Sequence, residues 1–405
     1  MTFNHYKMKE LISDISMGPF GSNIKTDCYQ ESGVPYLNGS NLAGVTLVED
    51  KFNYISEEKA NELGRAVARR GDVIVTHRGT LGQISYIPST SKHERYVTGN
   101  SQFRFSCNKL LLPEYIVYYF HSRKGQHTLL SNSSRVGVPA LARPTSSFQT
   151  LDVEIPDIDT QKRIVKILSS LDDKIELNNK INDNLQQQAQ ALFKSWLSSN
   201  DFEYVPLASI ADINPESLSS KDIWNLYRYL DTSSITSNVI SEVQTYSSVQ
   251  DLPSRAKRKV KNGDIVYSNV RPNQNHFGLI FCNTANLLVS TGFSVIRCKD
   301  SGICNEFIYL FLTQKEVIEE FQQLAEQSAS TFPAIKPSDI GAKLIPYSAN
   351  IAKLLKPTIT TLFSFIQKNN EENRHLAELR DTLLPKLMSG ELDVSDIELS
   401  EVSDA

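Results

Sequence analysis

The stretch IVKILSSLDDKIELNNKINDNLQQQAQALFKSW, residues 164–196, decides the fold. Read in alternating steps of four and three residues, it places ten side chains on one helical face: Ile164, Leu168, Leu171, Ile175, Asn178, Asn182, Leu185, Ala189, Leu192 and Trp196. This is a heptad seam that is apolar at both ends and carries amides in the middle. It predicts one long helix from about Gln161 to Leu197, capped by Asp159 or Thr160.

The same seam returns 191 residues later in the chain. Its members are Leu355, Ile359, Leu362, Ile366, Asn369, Asn373, Leu376, Arg380, Leu383 and Leu387. Both seams carry their two Asn residues at the same two places, and one position differs because Arg380 stands where the first copy is apolar. Two polar layers in register at this distance indicate an internal duplication.

The segments outside the seams repeat as well. The repeated pairs are Gly71-Asp72 with Gly263-Asp264, PEYIVYYF at 113–120 with NEFIYLFL at 305–312, Pro139 with Pro333, and Ile155-Pro156 with Ile345-Pro346. Between these fixed points the loops barely resemble each other. A shared frame with different polar loops is typical of a recognition domain.

The connectivity predicts how the two long helices pair. Each copy reads as a mixed α/β domain, with one helix at Leu112–Leu130 in the first copy, and helix two starts near the end of helix one. The helices must then run antiparallel, and pairing about the seam midpoints sets Asn178 against Asn373 and Asn182 against Asn369. A buried Asn layer rejects shifted registers, whereas the alternative is that these residues face solvent or another protein. The rod spans ~50 Å, about one to one and a half turns of B-DNA.

Composition indicates an ordinary globular protein. The chain has 405 residues, 40% hydrophobic and 22% charged, with five scattered cysteines and no CxxC pair, so we expect a reducing compartment and no structural zinc. No apolar run is long enough for a membrane helix, and the start of the chain lacks a signal-peptide pattern. These features predict a cytoplasmic protein with no membrane partner.

The charge is unevenly distributed. The net charge is −4, but the last 15 residues hold six acids and no base, whereas residues 1–150 hold 17 Lys and Arg against 12 Asp and Glu. A basic recognition region and a disordered, solvated acidic tail are the prediction.

The main enzyme signatures are missing from the sequence. Asn214-Pro215-Glu216 fails the Asn-Pro-Pro-aromatic pattern of an adenine methyltransferase, and no P-loop occurs. Asp157 with Asp172, Asp173 and Lys174 fits only a loose nuclease spacing, because the last three lie on the long helix where charges are normally solvated. The histidines are expected at the surface or near DNA rather than on a metal.

The residues predicted to contact DNA are polar and basic ones in the unmatched loops. In the first copy these are His77, Arg78, Thr80, Gln83, Lys92, Arg95, Arg135 and Arg143. In the second copy they are Lys257, Arg258, Lys259, Asn269, Arg271, Asn273, Gln274, Asn275 and His276. Arg can clamp guanine and Asn or Gln can clamp adenine, whereas Lys mostly contacts phosphate. For any one of them the alternative is a solvated loop residue.

The doubled arrangement resembles a known family. The GDVIVTHRGTLG strand region, the PEYIVYYF helix, the IPDIDTQKRIVKILSSLDDKI start of the long helix, the GDIVYSNVRPNQNHFGLI stretch and LLPKLMSGEL are together similar to the specificity subunit of Type I restriction–modification systems, over 11 to about 392. The resemblance implies a prokaryotic, non-catalytic subunit whose two target recognition domains read a bipartite, asymmetric site in double-stranded DNA. The helices would set the spacer and dock two methyltransferase subunits. S-adenosylmethionine would then be held by those partners, and ATP and Mg by an optional restriction subunit, with no cofactor and no metal in this chain.

The resulting fold prediction is α+β. It has two pseudo-symmetric α/β target recognition domains, 1–160 and 199–348, joined by long helices at 161–198 and 349–391 that form an antiparallel coiled coil, with an acidic tail at 392–405. One departure is that the second copy, YSANIAKLL, lacks the Gln of the TQKRIV segment, which raises the question whether both copies dock a methyltransferase equally. The competing hypothesis is a non-catalytic two-domain coiled-coil scaffold that bridges protein partners. The basic balance and amide-rich loops favour DNA, and the target bases are not encoded in any transferable pattern.

Overall fold

The chain forms two compact units in a computed structural model that describes residues 1–131, 133–134, 139–199, 201–299, 304–327 and 333–397. Unit 1 consists of Met1–Lys174 with His375–Ala405, and unit 2 of Ile175–Arg374. Each long helix is therefore divided between the units. The segment boundaries predicted from the sequence, which treat the helices as separate pieces, remain a prediction.

Unit 1 contains twelve strands and the start of the first long helix within its described residues. The strands are β1 Phe3–Lys7, β2 Ile12–Met17, β3 Val34–Tyr36, β4 Asn53–Ile55, β5 Val67–Arg69, β6 Asp72–Thr76, β7 Ile84–Tyr86, β8 Arg95–Val97, β9 Gln102–Cys107, β10 Ser133–Ser134, β11 Ala140–Leu141 and β12 Asp152–Pro156. The helices are α1 Glu57–Leu63, α2 Pro113–His121, α3 Arg123–Leu130, α4 Pro144–Gln149 and α5 Ile158–Leu197.

Unit 2 also contains twelve strands in its described residues. The strands are β13 Glu203–Pro206, β14 Ala211–Ile213, β15 Tyr227–Leu230, β16 Ile235–Thr236, β17 Val239–Ile240, β18 Gln244–Tyr246, β19 Ala256–Lys259, β20 Ile265–Ser268, β21 Phe277–Leu279, β22 Leu287–Ser290, β23 Phe293–Cys298 and β24 Leu344–Tyr347. The helices are α6 Leu207–Ile210, α7 Asn305–Leu312, α8 Lys315–Glu326, α9 Pro337–Ala342 and α10 Ala349–Ser389.

The sheets have the same topology in both units. The strand order β2-β9-β6-β7 of unit 1 returns as β14-β23-β20-β21 in unit 2, and β4-β3-β8-β5 returns as β18-β15-β22-β19. Each second sheet contains one parallel pair, β3 with β8 and β15 with β22. The strands that flank the domain pair as β1 with β12 and as β13 with β24. The duplication and the α+β class predicted from the sequence are thus confirmed.

The repeated Gly-Asp pair has a structural cause. Gly71 and Gly263 adopt φ of 87° and 86°, the left-handed region that glycine enters without strain. The following aspartates are buried, and each accepts the backbone amide three residues earlier, Asp72 from Arg69 at 2.9 Å and Asp264 from Lys261 at 2.7 Å. The pair therefore fixes the turn into the central strand of each unit.

The long helices complete the core of each unit along their seams. In unit 1, Ile164 and Leu168 of α5 and Leu387 of α10 are fully buried in one apolar cluster with the β2–β9 sheet. In unit 2, Ala189 and Trp196 of α5, together with seam residues of α10, join the corresponding cluster. Burial of apolar seam positions against the sheets stabilises the helices far more than intrinsic propensity does.

The asparagine pairing expected from the seam midpoints is present in unit 2. Asn178 is 1% exposed and its Nδ2 donates to Asn373 Oδ1 at 2.8 Å. Asn369 Nδ2 donates to Asn182 Oδ1 at the same distance. Each facing pair is thus joined by one amide hydrogen bond across an antiparallel pair of helices, and further amide bonds run to the neighbouring Glu372, Asn370 and Asn179. The role of this layer in fixing the register remains a prediction.

The odd residue of the second seam, Arg380, lies in a polar cluster of unit 1. Arg380 Nη1 donates to Asp172 Oδ1 at 2.8 Å, and Tyr118 donates to Asp172 Oδ2 at 2.6 Å. Burial and this bond to a carboxylate raise the pKa of Tyr118. The duplicated positions in unit 2 are Ala189, Phe363 and Leu310, all buried in its apolar core.

Three local predictions are wrong. The helix expected at Leu112–Leu130 is two helices, because Ser122 ends α2 and caps α3 by accepting the amide of Gly125 at 3.1 Å. The long helix starts at Ile158 and is capped by Asp157, which accepts the amides of Asp159 and Thr160. The expected solvated tail is packed at its start, since Val394 is 1% exposed within the unit 1 core. Residues 398–405 lie outside the described part of the chain.

Among the described residues, no helix combines the length and the apolar character needed to cross a membrane.

Candidate nucleic-acid interface

In each unit two loops are joined at the end of the central strand by the same backbone bonds. In unit 1 the amide of Gly79 donates to the Pro139 carbonyl at 3.2 Å, and the amide of Leu141 donates to the His77 carbonyl at 2.9 Å. In unit 2 the corresponding bonds run from Arg271 to Pro333 at 3.0 Å and from Ile335 to Asn269 at 2.9 Å. We call these the junctions, residues 77–79 with 139–141 and residues 269–271 with 333–335.

Both junctions carry side chains that were predicted from the sequence to contact DNA. Around the unit 1 junction, Arg78, Thr80 and Arg143 are exposed and His77 is half-buried. Around the unit 2 junction, Arg271, Asn273 and Gln274 are exposed, and Asn275 and His276 are half-buried. Arg135 lies outside the described residues. The structure therefore brings together predicted residues from two loops in unit 1, whereas in unit 2 the predicted residues at the junction all come from one loop.

His77 contributes a neutral ring at the first junction. Burial lowers its pKa from the usual value, and its Nε2 is buried without a hydrogen-bond partner in the described part of the chain. A neutral imidazole offers one donor and one acceptor rather than a positive charge. His77 is therefore suited to hydrogen bonding and not to neutralising phosphate.

Three further predicted residues of unit 1 are engaged within the unit. Arg95 forms an ion pair with Glu57 and donates to Asn61 Oδ1 at 2.8 Å. Lys92 donates its backbone amide to the Glu49 carboxylate at 3.1 Å, and Gln83 accepts from the Thr80 hydroxyl. Lys92 stays exposed, whereas Arg95 and Gln83 are half-buried, so these contacts first serve to order their own loops.

In unit 2 the structure gives Asn269 and Lys259 internal roles. Asn269 is 7% exposed, and its Oδ1 accepts from Ser294 Oγ at 2.7 Å, so it holds the junction together and does not face solvent. Lys259 pairs with Asp222 at 2.5 Å, and its ammonium lies 5.7 Å from the centroid of the Trp224 ring. The sequence alone could not distinguish these two residues from their exposed neighbours, because their burial depends on how the strands pack in the folded sheet.

The segment Arg271–His276 is a short rigid turn. Arg271 and Asn275 bracket it with φ of 48° and 57°, and the buried Pro272 opens a single 3₁₀ turn. The amide of Asn273 donates to Gln322 Oε1 on α8 at 3.3 Å, and His276 Nδ1 contacts the Ile235 carbonyl at 2.7 Å. This leaves Asn273 and Gln274 as the exposed amides of the turn.

Arg258, on the edge strand β19, has an unusual environment. Its Nε is buried and has no hydrogen-bond partner within the described residues, and burial lowers the pKa of the guanidinium. A half-buried cation without an anionic partner is costly. The arrangement is able to accept an anion from outside the protein, and Lys257, also predicted, is exposed one residue before it.

Sequence reasoning missed Lys336. Lys336 is exposed and follows the second half of the unit 2 junction, at the place that Arg143 holds in unit 1. The signal was available, since Pro333-Ala334-Ile335 repeats Pro139-Ala140-Leu141 and a basic residue before proline follows both.

The residues considered for a nuclease or a methyltransferase motif form hydrogen bonds within the protein. Asp157 caps α5, Asp172 accepts from Tyr118 and Arg380, and the left-handed Asn214 accepts the amide of Val295 at 2.9 Å. Among the described residues, no group of three or more His, Cys, Asp or Glu side chains could hold a metal ion.

The Gln of the TQKRIV segment is also structural. Gln161 is fully buried, and its Nε2 donates to the carbonyls of Leu110 and Pro156 while its Oε1 accepts the amide of Leu112, each at 2.9 Å. It ties the start of α5 to the start of α2. Its absence from the second copy therefore concerns local packing and not a surface that a partner could reach.

Comparison with known proteins identifies the family to which these two repeated domains belong. The family model of the Type I restriction modification DNA specificity domain matches the chain twice, at residues 12–187 and 199–375. The chain belongs to this family. The two matches fall on the two copies of the specificity domain, so the resemblance inferred from the sequence is confirmed.

Individual relatives agree with the family assignment. The chain is 23% identical over 464 residues to the HindI specificity subunit of a Type I restriction enzyme of Haemophilus influenzae, with 94% of this chain and 99% of the relative covered. It is 25% identical over 431 residues to the MjaIX specificity subunit of Methanocaldococcus jannaschii, with 95% and 93% covered. The crystal structure of a Type I restriction–modification S subunit from M. genitalium superimposes with a TM-score of 0.55 at 16% identity and 96% coverage of both chains, which supports the fold of this specificity-domain protein.

Proposed function

We propose that this chain is the DNA-reading specificity subunit of a Type I restriction–modification complex and that each unit reads one half of a bipartite, asymmetric site. The observation that carries the proposal is the pair of junctions, which share backbone bonds and differ in their exposed side chains. Two copies of one backbone arrangement that carry different exposed side chains are suited to recognise two different short DNA sequences, separated by base pairs that are not read.

In this proposal the chain recognises DNA and performs no chemistry. Two methyltransferase subunits dock on the long helices and use S-adenosylmethionine to methylate adenine in each half-site, and a restriction subunit that uses ATP and Mg can join them. Exposed arginine, asparagine and glutamine at the junctions read base edges, and Arg258 with Lys257 contacts phosphate.

DNA binding at graded salt concentrations tests this function. The chain is purified with its methyltransferase partner, and its affinity for duplexes with the methylated site and with a scrambled site is measured between 50 and 200 mM salt, a range over which a protein with several phosphate contacts weakens about 10³–10⁵-fold. Steep salt dependence with preference for the site supports the proposal. A stable complex with the methyltransferase that binds neither duplex would instead favour a protein-bridging scaffold.

A further inference from the structure

Arg271 occupies a backbone position whose positive φ is normally adopted by glycine. It is the counterpart of Gly79, and both residues donate their amide to the proline carbonyl of the facing segment. The junction imposes a positive φ on both, 84° at Gly79 and 48° at Arg271. Glycine accepts this conformation freely, whereas arginine is strained there because its Cβ crowds the following carbonyl.

Arg143 of unit 1 has nearly the same strained backbone. Its φ and ψ are 46° and 64°, against 48° and 67° at Arg271. Each precedes a proline, which restricts the conformation of the preceding residue further. The duplicated residue Lys336 has φ of −92° and ψ of 152°, so this half of the junction does not require the left-handed backbone that Arg143 adopts.

The other strained positions are of a different kind. Besides these two arginines, the residues other than glycine with positive φ in the described ranges are Asn214, Ser237, Asn238, Asn275 and Asn286. Asn enters this region at small cost, because its short polar side chain bonds locally. The two long side chains held there are arginines, one beside each junction, and both are exposed.

We infer that Arg143 and Arg271 are the principal specificity-determining residues, one in each unit, and that each reads a guanine through O6 and N7 in the major groove. Strained backbone conformations cluster at active sites and ligand-binding sites, where the strain helps to hold a side chain in one geometry. A backbone fixed in one conformation sets the origin of the guanidinium fork, and the bidentate contact with guanine depends on that geometry. The inference rests on the proposed function and names the residue and base that carry it.

Substitution by glycine distinguishes a role in DNA recognition from a role in folding. It is expected to lower the preference for the recognised base without lowering the thermal midpoint. Arg271→Gly relieves the strain, so the thermal midpoint of the complex is expected to stay equal or rise. The same change removes the guanine contact, so preference for one G·C pair in a single half-site falls about 10- to 100-fold. Arg143→Gly does the same in the other half-site.

Ser237→Gly is the matched control. This residue is exposed and also has a positive φ, 44°, but it is not among the residues assigned to DNA contact. Glycine there relieves the same kind of strain and is expected to keep the thermal midpoint equal or higher and to leave the bases read in both half-sites unchanged. Arg271→Lys distinguishes base from phosphate, since lysine keeps the charge and loses the bidentate fork.

The readout is the map of methylated adenines in cells that carry each variant with the methyltransferase, together with thermal unfolding of the purified complexes. A relaxed position in one half-site and an undiminished thermal midpoint support the inference. An Arg271→Gly complex that keeps both half-sites intact overturns it, as does one that weakens on all sequences equally while Arg271→Lys restores binding. If the wild-type complex yields no split site at all, the proposed function fails, and the inference fails with it.

Discussion

The polar residues of this protein fall into two groups: buried ones that stabilise the repeated domains, and exposed ones in the loops that those domains support. Gln161, Asp72, Asp264 and Asn269 have the polar character expected of site residues, but each is buried and bonded to backbone or to a neighbouring hydroxyl. Their roles follow from burial, because a buried polar group must be hydrogen-bonded to be tolerated. Arg258 differs from these four, since its buried Nε has no hydrogen-bond partner in the described residues.

Gln161 sets the stability of unit 1. Gln161→Met keeps the side-chain volume but removes the partners of the Leu112 amide and of the Leu110 and Pro156 carbonyls. We expect the free energy of unfolding of unit 1 to fall by roughly 2–4 kcal/mol, measured by urea denaturation. Exposed Lys162→Met on the same helix is the control and should change it by less than about 0.5 kcal/mol. A stable Gln161→Met protein that had lost its methyltransferase would show that Gln161 is a docking residue after all.

Arg258 tests whether the unpartnered guanidinium serves DNA. Arg258→Gln should weaken binding to every sequence alike and reduce the slope of log affinity against log salt by about 1. The free protein should be no less stable, because the substitution removes a buried Nε that has no hydrogen-bond partner among the described residues. Lys315→Gln, an exposed change on α8 that removes a lysine paired with Glu319, should leave the slope unchanged. An unaltered slope for Arg258→Gln would remove this residue from the interface.

At the scale of elements, periodicity predicted the long helices well and tertiary contacts decided their details. The heptad seams and the facing asparagines could be read from the sequence, because a pattern repeated over several turns depends on the helix alone. The break at Ser122 could not, since a Cβ at Gly125 would lie 1.9 Å from the Tyr119 carbonyl oxygen and only the packing of α3 on α2 explains that glycine. The conformations of Arg143 and Arg271 were hidden for the same reason, because a contact between distant segments imposes or permits them.

Three equivalent positions on the helices are polar in unit 1 and apolar in unit 2. Tyr118, Asp172 and Arg380 form hydrogen bonds in unit 1 where unit 2 packs Leu310, Phe363 and Ala189. From the sequence, Arg380 was only an interruption of the second seam. Its distant partner Asp172 lies on α5, and Asp172 is bonded in turn to Tyr118 on α2; no local pattern connects these residues to Arg380.

The asparagine layer should show coupled energetics. Asn178→Leu alone leaves Asn373 without its donor, so unit 2 should lose stability, whereas the double change with Asn373→Leu should regain it and exceed the wild type by about 1 kcal/mol. Urea denaturation of both single variants and the double variant gives the coupling energy. Exposed Asn184→Leu serves as the control. Additive effects within about 0.5 kcal/mol would mean that the two amides do not act as a pair.

At the scale of the whole molecule, the central feature is the duplication of a frame with different loops. The repeated sheets, the repeated junctions and the two family matches all divide the chain in the same way. The frame could be predicted because its fixed points recur in the sequence at nearly constant spacing. The bases read by the loops could not, because side-chain recognition depends on geometry that differs between the two units.

The most direct test of this account is a map of methylated adenines. The chain is expressed with its methyltransferase partner in a host that lacks adenine methylation, and modified bases are located by single-molecule sequencing. The account predicts one split motif, with two different short parts around a gap of fixed length and one modified adenine in each part. A continuous motif, or two identical parts, would contradict the claim that the two units read different half-sites.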